Sequence, residues 1–157
     1  FICKEELDGI PVFSRWVSDL GSFYLPRTES RKSLEVILGA AKLLKKNEHG
    51  MCIFPEGTRS DNGDMRPFKP GSLKIATKSG AAIVPFAIEN TINVLPRGSF
   101  FFKPLPVTVT FLPAILPEAY KGRDTQSLTD EIQSDIAAVV GCKILAEEPT
   151  TDKEAQE

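Results

Sequence analysis

Apolar residues along this chain follow two rhythms, one of short unbroken runs and one of helical spacing. Phe1-Ile2-Cys3 reads as a buried strand. Pro11 then opens a helix reaching Leu20, in keeping with proline's fit to a first helical turn. Gly21 ends it, and Ser22 to Pro26 reads as a second strand. From about Glu29 to Lys46 the spacing changes. Leu34, Ile37, Leu38, Ala41 and Leu44 share one helical face. Lys42, Lys45 and Lys46 gather at its end, where the helix dipole favours cations. Met51 to Phe54 is an uninterrupted apolar strand, the pattern of a sheet covered on both faces. Gly71 to Lys78 reads as a short helix closed by Gly80. Ala82 to Ile88 is another strand, and Pro85 within it predicts a bulge or an edge. Val107 to Leu112 is a further strand. Ser127 to Val140 is a helix with Leu128, Ile132, Ile136 and Val139 on one side. The tail from Glu147 to Glu157 is acidic and polar, and is expected to be disordered.

Alternation of strand and helix predicts an α/β fold, with a mainly parallel sheet and helices on both faces. A length of 157 residues suits one domain, spanning residues 1–146. The chain opens directly on a core strand, so the first strand-helix portion of the domain is expected to be missing. The longest apolar runs are about eight residues against the roughly 20 a bilayer span needs, which predicts no transmembrane helix. No basic-flanked apolar leader is visible. A net charge of −2 does not suggest a general nucleic-acid role, so any anion site must be local. Cys3, Cys52 and Cys142 are far apart, odd in number and without metal-type spacing. Cys3 and Cys52 lie in apolar runs and are expected as buried, reduced thiols in a reducing compartment.

Two strand ends carry candidate chemistry. Ser22 to Pro26 delivers Arg27, and Met51 to Phe54 delivers Pro55-Glu56-Gly57-Thr58-Arg59-Ser60. Parallel strands would bring both arginines to one edge, where ligands bind in such folds. Arg66 and Lys69 follow shortly. A guanidinium matches two phosphate oxygens together, which an ammonium cannot do. Gly57 allows close backbone approach, Thr58 and Ser60 add hydroxyls, and Glu56 can orient the Arg59 guanidinium or accept from a substrate hydroxyl. The group forms a phosphate cradle or, more plainly, a set of solvated loop charges. The residue types alone leave both readings open. Phe100-Phe101-Phe102 with Lys103 is expected as core or strand edge, with a membrane-facing patch as the alternative.

The stretch FPEGTRS, Phe54 to Ser60, resembles the third sequence block of the glycerolipid acyltransferase family, of the lysophosphatidic acid (1-acylglycerol-phosphate) type. Other blocks fall in order. Gly21 to Arg27 is similar to the second block, which ends in a phosphate-contacting arginine. Phe68-Lys69-Pro70-Gly71 resembles the stretch after the third block. Ile83-Val84-Pro85 is similar to the fourth, and Leu95-Pro96-Arg97-Gly98 fits the run beyond it. The resemblance covers roughly Phe1 to Val140. It implies a glycerolphosphate-acyltransferase-like fold, with Arg27, Glu56, Gly57, Thr58, Arg59 and Lys69 binding substrate. It implies transfer of a fatty acyl group from an acyl thioester of coenzyme A or a carrier protein to the free hydroxyl of lysophosphatidic acid, giving phosphatidic acid. The thioester is a co-substrate, and no metal or redox cofactor is implied. The implied setting is the cytoplasmic face of a membrane, reached peripherally or through a missing N-terminal anchor, with no nucleic acid as partner.

One departure stands out. The family's first block is a histidine, four residues, then an aspartate, acting as general base and its orienter. Here the single histidine is His49, five residues before Phe54, and it lies after the second block instead of before it. His49 is expected as a solvated turn residue, leaving no catalytic residue in this chain. The dyad is expected just upstream of Phe1, and the chain alone is expected to be inactive. The alternative is a non-catalytic lipid-phosphate-binding domain of the same fold.

Overall fold

In a computed structural model, which describes residues 1–5, 9–26, 30–46, 49–60, 62–69, 71–96, 98–99 and 101–146, the two rhythms become strand pairs linked by helices. Strand β1 (Ile2–Lys4) runs parallel to β2 (Phe23–Leu25), with Ile2 opposite Phe23 and Lys4 opposite Leu25. Helix α1 (Pro11–Asp19) makes the crossover, with Pro11 in its first turn. Helix α2 (Ser30–Leu44) follows. The chain then returns beside β1, where the Ile2 N–H donates to the Cys52 carbonyl at 3.3 Å. Residues 51–54 build no strand ladder. Pro55 offers no N–H, and a turn begins at Phe54, so the run bends away after this one bond.

Helix α3 (Lys74–Ser79) is shorter than its sequence suggested. Gly71 has φ +85°, which no helix accommodates, so residues 71–73 form a turn first. Strand β3 (Phe86–Glu89) pairs antiparallel with β4 (Thr108–Phe111). Beyond that ladder Ile83 and Ile115 exchange both backbone bonds, at 2.9 and 2.8 Å. Three residue steps separate Ile83 from Phe86, but four separate Phe111 from Ile115, so an extra residue bulges opposite Pro85. Pro85 interrupts the ladder there as its missing N–H requires. Two short helices, α4 (Thr91–Val94) and α5 (Pro117–Tyr120), lead to α6 (Thr125–Val140). Asp124 caps α6 by accepting the Ser127 N–H at 2.9 Å, so the helix starts two residues before Ser127.

The fold is α/β, as expected, with a parallel pair and helices around it. Its core lies in the later part of the chain. Met65, Phe68, Leu73, Tyr120, Leu128, Ile132 and Ala137 form one buried cluster, with Ile53, Ile83, Ile115, Ile136 and Cys142 against it. The Tyr120 hydroxyl reaches out of it to donate to the Ala81 carbonyl at 2.7 Å. In α2 the buried positions are Ala40 and Ala41, while Leu34 and Leu38 face outward. The three cysteines are free and half-buried, not buried, and burial pushes the Cys52 thiol up. Among the described residues no helix is long and apolar enough to cross a membrane. The tail 147–157 lies outside the described residues.

Candidate functional site

The run 51–54 ends in a tight turn. The Gly57 N–H donates to the Phe54 carbonyl at 3.0 Å, and Gly57 adopts φ +69°, a conformation that favours glycine. The Lys69 N–H donates to the Pro55 carbonyl at 2.9 Å, so residues 55–69 close into a loop. Lys69 lies across Gly57. A Cβ at Gly57 would stand 2.6 Å from Lys69 Cε and 2.9 Å from its Nζ. Close approach is thus the use of this glycine, and the group that approaches it is the lysine stem.

Glu56 points inward. Its Oε2 accepts the Arg66 N–H at 2.8 Å. Burial pushes this carboxyl above the ordinary glutamate value, and the Arg66 N–H and charge offset only part of that rise. Glu56 therefore braces the loop instead of orienting Arg59. Thr58, Arg59 and Lys69 are exposed. Arg59 Nη1 donates to the Leu95 carbonyl over a long 3.4 Å. The Ser60 hydroxyl is taken up internally, donating to Asn62 Oδ1 at 3.2 Å and accepting the Gly63 N–H at 3.0 Å.

The loop is held from the far side by a residue that the sequence reading missed. Gln133, buried on α6, accepts the Phe68 N–H at 3.2 Å and donates to the Arg66 carbonyl at 2.9 Å. Asp64 adds a second tie by accepting the Lys143 N–H at 3.2 Å. Met65 adds a third, donating to the Lys143 carbonyl at 2.8 Å and accepting from Leu145 at 2.9 Å. The signal for Gln133 was present. An uncharged amide adjoins Ile132 in the apolar stripe of α6, and buried polar groups are informative where exposed apolar ones are not.

The structure thus brings Glu56, Gly57 and Lys69 together, with Thr58 and Arg59 on the outer side of the same turn. Arg27 and Arg97 lie outside the described residues, and with Arg27 goes the expected meeting of Arg27 and Arg59. An open groove of about 400 Å³ lies at the carboxyl end of β2, lined by Glu5, Tyr24, Pro26 and Lys32 among others. Its lining includes Phe23, Tyr24 and Pro26 of the second block, but no described residue of the FPEGTRS turn and not Lys69. His49 is exposed in the loop before the 51–54 run, as a solvated turn residue would be.

A family model described as Acyltransferase matches residues 1–89, more than half of the chain and the whole of the motif turn with Lys69. This chain belongs to the acyltransferase family. It is 32% identical over 135 residues to a 1-acyl-sn-glycerol-3-phosphate acyltransferase of Borreliella burgdorferi, covering 83% of this chain and 54% of that protein. A chloroplastic enzyme of that name from Brassica napus is 36% identical over 99 residues, covering 63% of this chain and 28% of the relative. Among solved structures, the 1-acyl-sn-glycerophosphate acyltransferase PlsC of Thermotoga maritima matches with TM-score 0.76 and 29% identity, over 90% of this chain and 55% of that one. The acyltransferase chain described here therefore spans between about a quarter and just over half of these proteins. The family match ends at Glu89, whereas Gln133 and Lys143, which hold the motif loop, lie well beyond it.

Proposed function

We propose that this protein is a 1-acylglycerol-3-phosphate acyltransferase, and that the turn from Glu56 to Arg59 with Lys69 holds the acceptor's phosphate. One observation carries the reading. Lys69 lies over Gly57, so its ammonium is held at the turn that also presents Thr58 and Arg59. An ammonium and a guanidinium on one exposed turn match a phosphate monoester. Arg27 is assigned to the same phosphate by its place at the end of the second block.

In the reaction, the acceptor's free hydroxyl attacks the thioester carbonyl. A C–O ester bond forms, the C–S bond breaks, and the hydroxyl proton ends on the departing thiol. The phosphate cradle positions the glycerol for this attack, and orientation of that kind lowers the barrier substantially. The donor is an acyl thioester of coenzyme A or a carrier protein, and the setting is the cytoplasmic face of a membrane. Proton removal needs a general base, worth roughly 10²–10⁴-fold. The sole histidine, His49, is exposed in its loop, so the 157-residue chain by itself is expected to show only trace turnover.

Titration of the chain with glycerol 3-phosphate tests the cradle. Arg59→Lys keeps the charge and loses the fork. It should weaken binding by about tenfold, since a charge-assisted hydrogen bond contributes roughly 1.5–3 kcal/mol. Lys69→Arg should be milder, and the thermal midpoint of both variants should stay at the wild-type value. Wild-type affinity in Arg59→Lys would return Arg59 to a plain strand-end charge.

A further inference from the structure

The segment after α4 does not behave as core or strand edge. Phe101 is 84% exposed and Phe102 74%, values that leave both rings almost bare. Exposed apolar patches of this kind mark contacts with a membrane or another macromolecule. Lys103 stands beside them, also exposed. The patch continues along the chain. Leu105, Val107, Val109 and Phe111 alternate along an extended stretch, and all four are exposed. Phe111 meets Phe86 with ring centroids 5.9 Å apart, and Phe86 meets Phe54 at 6.2 Å. These ring contacts join the exposed strand β4 to Phe54, the residue that opens the motif turn.

Several described backbone groups around these bare rings are tied internally. The Ser99 hydroxyl bonds both the N–H and the carbonyl of Phe101, at 3.2 and 3.1 Å. The Ser99 N–H donates to Pro96 at 3.0 Å, Lys103 to Val94 at 2.8 Å, and Leu105 to Lys103 at 2.8 Å. Backbone groups tied internally can leave water without orphaning a donor or acceptor. The root of the loop is also the site's neighbour, because Arg59 donates to the Leu95 carbonyl.

From this we infer that the loop carrying Phe101, Phe102 and Lys103 is an interfacial anchor. Its two rings enter the lipid boundary, its lysine remains at the headgroups, and the motif turn is thereby set at phosphate depth. Aromatic rings with an adjacent cation are the composition of interfacial segments, and the cation adds attraction to anionic lipid. The choice of a bilayer as occupant rests on the reading of the acceptor as a lipid phosphate.

Co-sedimentation with vesicles tests it. One set is pure phosphatidylcholine, which carries no phosphate monoester, and the other contains about a quarter phosphatidylglycerol. The wild-type chain should partition onto both. The double variant Phe101→Ser with Phe102→Ser should lose at least about tenfold of that partition with an unchanged thermal midpoint, because the rings contribute nothing to the folded interior. Lys103→Glu should weaken binding to the anionic vesicles alone, with the difference fading at high salt. Equal partition of wild type and double variant would overturn the anchor. So would a wild type that binds neither vesicle, or one that forms a dimer which the double variant cannot form. The double variant should still bind glycerol 3-phosphate without vesicles. If that titration is silent for both proteins while the vesicle difference persists, the cradle fails and the anchor stands.

Discussion

The first 46 residues and the stretch from Ile53 to Leu145 are built to different standards. In the first region β1 and β2 have three residues each, and Val17, Ala40 and Ala41 are its buried apolar positions among those described. Val12 and Trp16 of α1, and Leu20 just after it, are each more than 60% exposed. In the second region seven buried residues form one cluster, and a buried amide bonds the motif loop from inside. The family match runs over all of the first region and stops inside the second. Chemistry and support are thus unevenly shared. The motif sits in the matched part, and much of what fixes its loop lies beyond it: the Gln133 side chain on α6 and the backbone of Lys143 and Leu145 after that helix.

Three measurements would break or sharpen that contrast. The largest effect is expected at Leu128, 1% exposed at the centre of the cluster. Leu128→Ala should cost about 2–5 kcal/mol in chemical denaturation. Val17→Ala, the matching deletion in the first region, should cost about 1–2 kcal/mol. Equal losses would show that both regions share one cooperative core. Next comes Gln133→Leu, which keeps the volume but orphans the Phe68 N–H and the Arg66 carbonyl. Each buried unsatisfied group costs roughly 1–3 kcal/mol. The same variant should weaken glycerol 3-phosphate binding although no ligand touches α6, because the backbone that places Lys69 loses its anchor. Loss of stability with unchanged affinity would mean that the turn places Lys69 without help from α6.

The smallest effect belongs to Glu56. Burial raises its carboxyl, so the folded chain holds the proton more tightly than the unfolded chain. The stability this contributes is present below the ordinary glutamate value of about 4.3 and is lost as pH rises through the higher folded value. Glu56→Gln can still accept the Arg66 N–H and has no proton to lose. It should therefore gain stability relative to wild type as pH climbs from about 4 toward neutrality. Thermal midpoints across that range give the answer, and parallel curves for the two proteins would show that Glu56 does not titrate unusually.

Much of this protein was legible in one dimension. Helices α1, α2 and α6 follow from proline placement and 3.6-residue spacing, and Pro85 announced the break before β3. The stretch FPEGTRS at the end of an apolar run identified the family and marked the turn that now holds Gly57 and Lys69 together. These are local properties: a missing N–H, a periodic face, a glycine at positive φ. What remained hidden depends on partners distant in sequence. Nothing in Val107 to Leu112 says that it will meet Phe86 to Glu89 antiparallel, since direction is set by where the chain returns. Helices α4 and α5, four residues each, are too short to show a period. Glu56 looked like a partner for Arg59, three residues away, yet it bonds a backbone N–H ten residues on. Phe101 and Phe102 have the composition of a core strand, and only the folded chain shows their rings to be bare. Gln133 is marked in the sequence as an amide beside an apolar stripe, but its partner, the Phe68 N–H 65 residues earlier in the chain, shows only in the fold. Local stereochemistry determines which elements form. Their contacts follow from the low-dielectric interior, where every backbone donor and acceptor must find a partner wherever in the sequence that partner lies.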